Sequence, residues 1–158
     1  MRSLAMGLAI VAASAIGLQG YAQDKAGPLE GAWELIGATY APADPTFSLT
    51  KTRQIKILTK THWAFLSQDR LPAKSASDAK LHEAAKSLSA GAGTYKLDGD
   101  SYTEHIEFFA EPKFVGTSIT FKIKWEGDEW IQTGTLPLKA LGLSDHDVKL
   151  QERYRRIK

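Results

Sequence analysis

Apolar and polar residues alternate with a period of two along most of the chain after residue 30, which is the pattern of strands with one buried face. Short connections containing Gly, Pro, Asp or Thr separate most of the alternating segments. These segments cover residues 33–40, 53–58, 62–68, 93–97, 100–109, 117–126, 129–135 and 147–157. Eight such strands in up-and-down order close into a barrel that holds side chains or one small ligand. The sequence therefore predicts an all-β fold, an eight-stranded antiparallel up-and-down barrel.

One segment departs from the strand pattern and predicts a single short helix inserted into the barrel. Residues 77–88 have high helix propensity, and Ser75 or Ser77 is available as the N-cap. The apolar positions 81, 84, 85 and 88 fall on one helical face. We expect a helix over 76–88 that covers one end of the barrel.

Two tight hairpins predict which side chains face the interior. Asp98-Gly99 joins two alternating segments, and Asp-Gly is a strong hairpin signal. A two-residue turn there places six residues on one inner face: Tyr95, Leu97, Tyr102, Glu104, Ile106 and Phe108. A bulge after Gly99 would instead turn His105 and Glu107 inward.

The second hairpin turns at Gly127-Asp128 and pairs Glu126 with Glu129. Paired residues share a face, so this register predicts an inner face that is rich in aromatic residues. Its members are Phe121, Ile123, Trp125, Trp130 and Gln132.

Glu104 is the residue on these faces with the strongest chemical implication. A carboxylate on an apolar barrel face is costly unless it is paired or hydrogen-bonded. Ligand recognition, a structural network with Arg156 or a tyrosine, and acid–base catalysis are the three interpretations. His62 would join Glu104 if the third strand turns it inward.

The residues predicted to bind a ligand combine apolar walls with a few polar groups, as most small-molecule sites do. They are Glu104, Tyr95, Tyr102, Trp125, Trp130, Gln132, Phe121, Phe108 and His62. If the barrel is an enzyme, Glu104 is the acid or base, with His62 or His105 beside it. The dispersed histidines indicate no metal site, and no motif indicates a cofactor.

Composition and charge restrict the class of protein. The 158 residues, 43% of them hydrophobic and 24% charged, suit one globular domain. The formal charge is +2, which gives no electrostatic case for nucleic-acid binding. The chain contains no cysteine, which excludes disulfides and thiol chemistry.

The first residues predict export. Arg2 is followed by an apolar run of small residues, which is typical of a secretory signal peptide. We interpret residues 1–22 as this signal peptide, 23–30 as an N-terminal tether and 31–158 as the barrel domain. A periplasmic or secreted protein follows, with no membrane span after signal removal, and we expect a monomer or a weak homodimer.

Residues on the first and last strands of the predicted barrel resemble a motif of the lipocalin and fatty-acid-binding (calycin) families. Gly31-Ala32-Trp33 forms a Gly-x-Trp on the first strand, and Arg156 lies on the last strand. In those families the Arg packs over the Trp and shuts the bottom of the barrel, so the resemblance implies this role for Gly31, Trp33 and Arg156. The chain departs from typical lipocalins in having no disulfide and in carrying its helix between the third and fourth strands.

The stretch from residue 93 to 106, followed by Val-Gly-x-Ser-Ile-Thr-Phe at residues 115–121, also resembles a group of small exported bacterial lipocalin-like proteins of unknown function. Together these features predict a protein that binds a small hydrophobic or amphipathic molecule in a barrel cavity. The alternatives are an isomerase, cyclase or hydrolase on the same barrel, and a small envelope protein with a filled barrel that acts through its surface.

Overall fold

The computed structural model describes residues 27–43, 48–70 and 77–158, which form a closed eight-stranded antiparallel barrel. Each strand pairs with the next in sequence, and the last pairs with the first. The strands are β1 (Gly31–Ala41), β2 (Thr52–Leu58), β3 (His62–Asp69), β4 (Ser89–Asp98), β5 (Ser101–Phe109), β6 (Ser118–Glu126), β7 (Glu129–Leu136) and β8 (Val148–Arg156). The predicted fold class is confirmed. The predicted signal peptide and residues 23–26 of the tether lie outside the described residues.

The two predicted hairpins form, and one of them has a shifted register. Between β6 and β7, Glu126 pairs with Glu129 around Gly127-Asp128, as predicted. Between β4 and β5, Asp98 pairs with Ser101, so the turn residues are Gly99-Asp100 rather than Asp98-Gly99. Each β5 residue before the bulge therefore pairs with a β4 residue two positions later than predicted; Tyr102, for example, pairs with Leu97 rather than Tyr95. Because side chains alternate between the two faces with a period of two, the same side chains still face inward.

A β-bulge in β5 changes the facing of the last residues of this hairpin. Gly93 pairs with Ile106 and Ala92 pairs with Phe108, which leaves Glu107 as the extra residue. A Cβ at position 93 would overlap the carbonyl oxygen of His105, so the bulge requires glycine there. Beyond the bulge Phe108 turns outward, and Phe109 packs against the core.

Tight turns and the chain ends close one end of the barrel. The Trp33 ring is buried, and the Arg156 guanidinium lies over it, 4.2 Å from the ring centroid. Gly31 has φ 133°, and a Cβ there would overlap the Arg156 side chain. Arg156 also donates to the carbonyl oxygens of Glu30 and Pro28, at 2.6 and 3.3 Å. The Trp33 indole donates to the Leu29 carbonyl, and Leu29 is buried in the core.

Longer connections lie at the other end, which we call the open end. Helix α1 (Asp78–Lys86) joins β3 to β4 and packs against β3. Its N-cap is Ser77, whose side chain makes no capping hydrogen bond. A 3₁₀ helix at Pro112–Phe114 lies in the connection from β5 to β6. Among the described residues, no helix has the length and apolarity needed to cross a membrane.

Candidate functional site

A cavity of about 280 Å³ lies inside the open end of the barrel. Its volume lies just below the range of typical small-molecule sites, about 300–1,000 Å³. The lining residues come from seven strands and from the connections that follow β5 and β7. They are Tyr40, Gln54, Lys56, Phe65, Glu104, Ile106, Phe109, Phe114, Ile119, Phe121, Gln132, Leu136, Leu138, Leu150, Glu152 and Tyr154. A larger groove of about 470 Å³ lies on the outside of β2 and β3, around Ile55 and Leu66.

Aromatic and aliphatic side chains form the mouth of this cavity. The Phe109 ring centroid lies 4.6 Å from that of Phe114 and 5.5 Å from that of Phe65. Phe114 belongs to the 3₁₀ helix, so the connection after β5 supplies part of the lining. No residue of α1 lines the cavity. The cavity is therefore bordered by the loops after β5 and β7 rather than by the helix.

The polar lining lies deeper in the barrel and includes a buried ion pair. The Lys56 ammonium donates to Glu104 Oε1 at 2.7 Å and to Gln132 Oε1 at 3.2 Å. Lys56 is 3% exposed and Glu104 is 5% exposed. The ion pair supplies the partner that a buried carboxylate needs.

Aromatic rings surround the Lys56 ammonium below the cavity. Its nitrogen lies 5.4–5.9 Å from five ring centroids, those of Trp63, Tyr102, Phe121, Trp130 and Tyr154. These distances are within cation–π range. Among the described residues, the Tyr102 hydroxyl and the Trp130 indole nitrogen are the buried side-chain polar atoms with no hydrogen-bond partner. The ring faces of these two residues contribute to the ammonium environment instead.

A second carboxylate, Glu152, extends the polar lining. Its Oε2 accepts from the Gln132 amide and the Tyr154 hydroxyl, each at 2.7 Å, and its Oε1 accepts from Tyr40 at 3.1 Å. Gln54 donates to the Tyr154 hydroxyl at 2.8 Å. Gln132 thus links Lys56 to Glu152, and one connected network runs from Glu104 to Gln54.

Burial and these carboxylates hold the interior tyrosines in their neutral form. Burial raises the pKa of Tyr154 well above its usual range, and the charge of Glu152 raises this pKa further. Burial also raises the pKa of Tyr102 well above its usual range, and Glu104 adds to this effect. The two hydroxyls therefore remain protonated at neutral pH.

Three of the nine predicted ligand-binding residues line this cavity: Glu104, Gln132 and Phe121. Four others face inward nearer the closed end. Tyr102 and Trp130 are fully buried there, and Tyr95 donates its hydroxyl to the Thr59 carbonyl. Trp125 is 42% exposed and packs against Trp33 with ring centroids 5.9 Å apart. The predicted inner faces are correct for these residues, but the cavity lies at the other end.

His62 and Phe108, predicted to line the cavity, lie on the outer surface instead. His62 is exposed, since β3 directs Trp63 rather than His62 inward. Phe108 is 69% exposed, because the bulge at Glu107 shifts the alternation by one residue.

Sequence reasoning missed Lys56 as the partner of Glu104. Strand β2 directs Gln54, Lys56 and Leu58 inward, whereas the side chain of Ile57 is 42% exposed. The polar–apolar alternation of β2 is thus inverted relative to the usual hydrophobic-inside pattern. The sequence did contain one signal for this pairing. A carboxylate predicted to face inward needs a cationic partner, and β2 carries the lysine that supplies it.

The acid–base arrangement considered for an enzyme does not assemble. His105, like His62, is exposed, and it hydrogen-bonds Ser118 on the outside of the barrel. Glu104 is occupied by Lys56 inside. In the described ranges, no group of three or more His, Cys, Asp or Glu residues is arranged to hold a metal ion.

The fold and site define a closed eight-stranded antiparallel barrel with a small internal cavity that has an apolar mouth and a deeper polar lining. Comparisons with protein-family models, curated proteins and solved structures found no match to this chain.

Proposed function

We propose that this protein is a lipocalin-like binding protein that holds a small hydrophobic or amphipathic molecule in the open end of its barrel. The observation that carries the proposal is the cavity of about 280 Å³, which combines an apolar mouth with a buried polar network deeper in the barrel. Such a combination of apolar walls and a few convergent polar groups is typical of small-molecule sites.

Burial of apolar surface supplies the affinity in this proposal. Each Å² of ligand surface removed from water contributes about 25 cal/mol. The polar lining fixes orientation, because a ligand group that fails to hydrogen-bond there leaves buried polar atoms without partners. Counting about 30 Å³ for each water-sized group, the cavity holds a ligand of about nine such groups.

We propose the cell envelope as the location, since the sequence begins with a segment of signal-peptide character. Fractionation of native cells checks this part independently of ligand binding. Recovery in the cytoplasm with residues 1–22 still attached would contradict it.

A titration with 2-phenylethanol, a neutral amphipathic probe of matching size, tests the binding function. We expect saturable chemical-shift changes confined to residues around the cavity in a two-dimensional NMR spectrum. The variant Ile119→Trp fills the cavity, because Ile119 is buried in its wall. It should weaken binding by about tenfold or more, the equivalent of about 1.4 kcal/mol.

The neighbouring residue on β6 provides the matched control. Thr120 is exposed on the outer face, so Thr120→Trp adds the same ring without entering the cavity. Binding to this variant should equal binding to the wild type. Absence of saturable binding to the wild type, or equal losses in both variants, would refute the proposed function. Circular dichroism of each variant establishes that the barrel is folded.

A further inference from the structure

We infer that the ligand is a small amphipathic amine whose ammonium group pairs with Glu152. This inference rests on the proposed function and adds the chemical class of the ligand. It starts from the charges that the barrel encloses.

The buried interior of the described barrel contains one cation and two anions. Lys56 is matched by Glu104 at 2.7 Å. Glu152 is 7% exposed, and no lysine, arginine or histidine of the described residues forms an ion pair with it. Its donors, Tyr40, Gln132 and Tyr154, are all neutral. The cavity wall therefore carries one negative charge without a counter-cation, and a buried charge of this kind favours a cationic partner.

An anionic ligand fits this wall poorly. Lys56 is the buried cation of the site, and its ammonium already contacts Glu104, Gln132 and a set of aromatic rings. A ligand carboxylate would lie near two protein carboxylates and would have to displace an existing partner of Lys56. Like charges placed together in a buried site are strongly unfavourable.

The geometry of Glu152 identifies the acceptor atom. Its Oε2 receives two hydrogen bonds at 2.7 Å, whereas its Oε1 receives one at 3.1 Å, from Tyr40. A carboxylate oxygen accepts two hydrogen bonds, so Oε1 has capacity for a donor from the ligand. The same cavity is lined by Phe65, Phe109 and other aromatic residues, which suit both an apolar body and an ammonium group.

Three probes that share one aromatic skeleton and differ in charge test the inference. They are 2-phenylethylamine, which is cationic at neutral pH, the neutral 2-phenylethanol and the anionic phenylacetate. Isothermal titration calorimetry on the wild type should give an amine affinity about tenfold or more above that of the alcohol, with the acid weakest.

The variant Glu152→Gln removes the charge and keeps the shape of the side chain. It should lower the amine affinity to that of the alcohol and leave the alcohol affinity within about twofold. The control Glu107→Gln removes one carboxylate from the exposed outer surface and should change neither affinity. If Glu152→Gln does not fold, the order of the three probes on the wild type still decides the inference.

The possible results distinguish failure of the amine inference alone from failure of the proposed function. Equal affinities for amine and alcohol would overturn the amine inference and leave the binding function standing. Tightest binding of phenylacetate would overturn it in favour of an anionic ligand. Failure of all three probes to bind would overturn the binding function together with the inference.

Discussion

The buried ion pair between Lys56 and Glu104 makes an asymmetric prediction about stability. Removing Lys56 with Lys56→Met leaves Glu104 and Glu152 together in the interior without a cation. Removing the charge of Glu104 with Glu104→Gln leaves Lys56 able to balance Glu152, to which Gln132 already connects it. Lys56→Met should therefore be the more destabilising of the two single substitutions.

The expected magnitude follows from the burial of the pair. Both side chains are almost fully enclosed, at 4% and 6% exposed. Breaking a buried pair by removing one partner costs about 3–5 kcal/mol, because the remaining charge stays desolvated. With a urea m-value of about 2 kcal/mol/M, Lys56→Met should lower the unfolding midpoint by about 1.5–2.5 M. This is a large part of the stability of a typical domain, about 5–15 kcal/mol.

Urea unfolding followed by tryptophan fluorescence measures the effect. The double variant Lys56→Met, Glu104→Gln restores the interior formal charge of the wild type, so it should be more stable than Lys56→Met alone. The control is Asp100→Asn, which breaks the Lys122–Asp100 pair; that pair has the same 2.7 Å distance but lies exposed on the outer surface. The midpoint of this control should not change. A midpoint for Lys56→Met equal to that of Glu104→Gln, or higher, would refute the charge argument.

Two further predictions concern the tyrosines and the bulge. Because burial raises the pKa of Tyr154 and Tyr102, the stability that they contribute is complete below the unfolded value near 10 and is lost as the pH rises above it. Tyrosinate absorbance should show these two residues ionising only with unfolding, and their ionisation in the folded barrel would contradict this. Gly93→Ala should destabilise the protein by about 3 kcal/mol, since its Cβ would overlap the His105 carbonyl oxygen. Thermal unfolding measures this loss against Lys96→Ala, an exposed control on the same strand, and equal melting temperatures would disprove the requirement for glycine.

The local sequence pattern was sufficient to predict the strands and most of the side chains that face inward in the two hairpins. Alternation and the turn at Gly127-Asp128 specify the pairing of β6 with β7 residue by residue. Alternation alone also places Glu104 on the same face as Tyr102. Glu104 therefore faces the interior as predicted, although the turn lies at Gly99-Asp100. These features depend on neighbours in sequence, which is why a single chain reveals them.

The start of β4 depended on a partner strand. The alternating pattern begins the fourth strand only at residue 93, yet residues 89–93 pair with β3, from Ser89 opposite Ser67 to Gly93 opposite Trp63. Small residues without strong strand preference take the conformation that the available hydrogen bonds dictate. The bulge at Glu107 likewise arises between strands, and it reversed the facing of Phe108.

The sequence by itself determined an eight-stranded meander, its two tight hairpins and one inward carboxylate. Only the tertiary structure decided that β2 turns Lys56 inward, that Glu152 meets the other end of Gln132, and that the cavity lies at the open end. The physical reason is that alternation gives two faces without saying which is inner. That choice is made by the charge and shape of residues up to a hundred positions away, such as Tyr154 opposite Gln54.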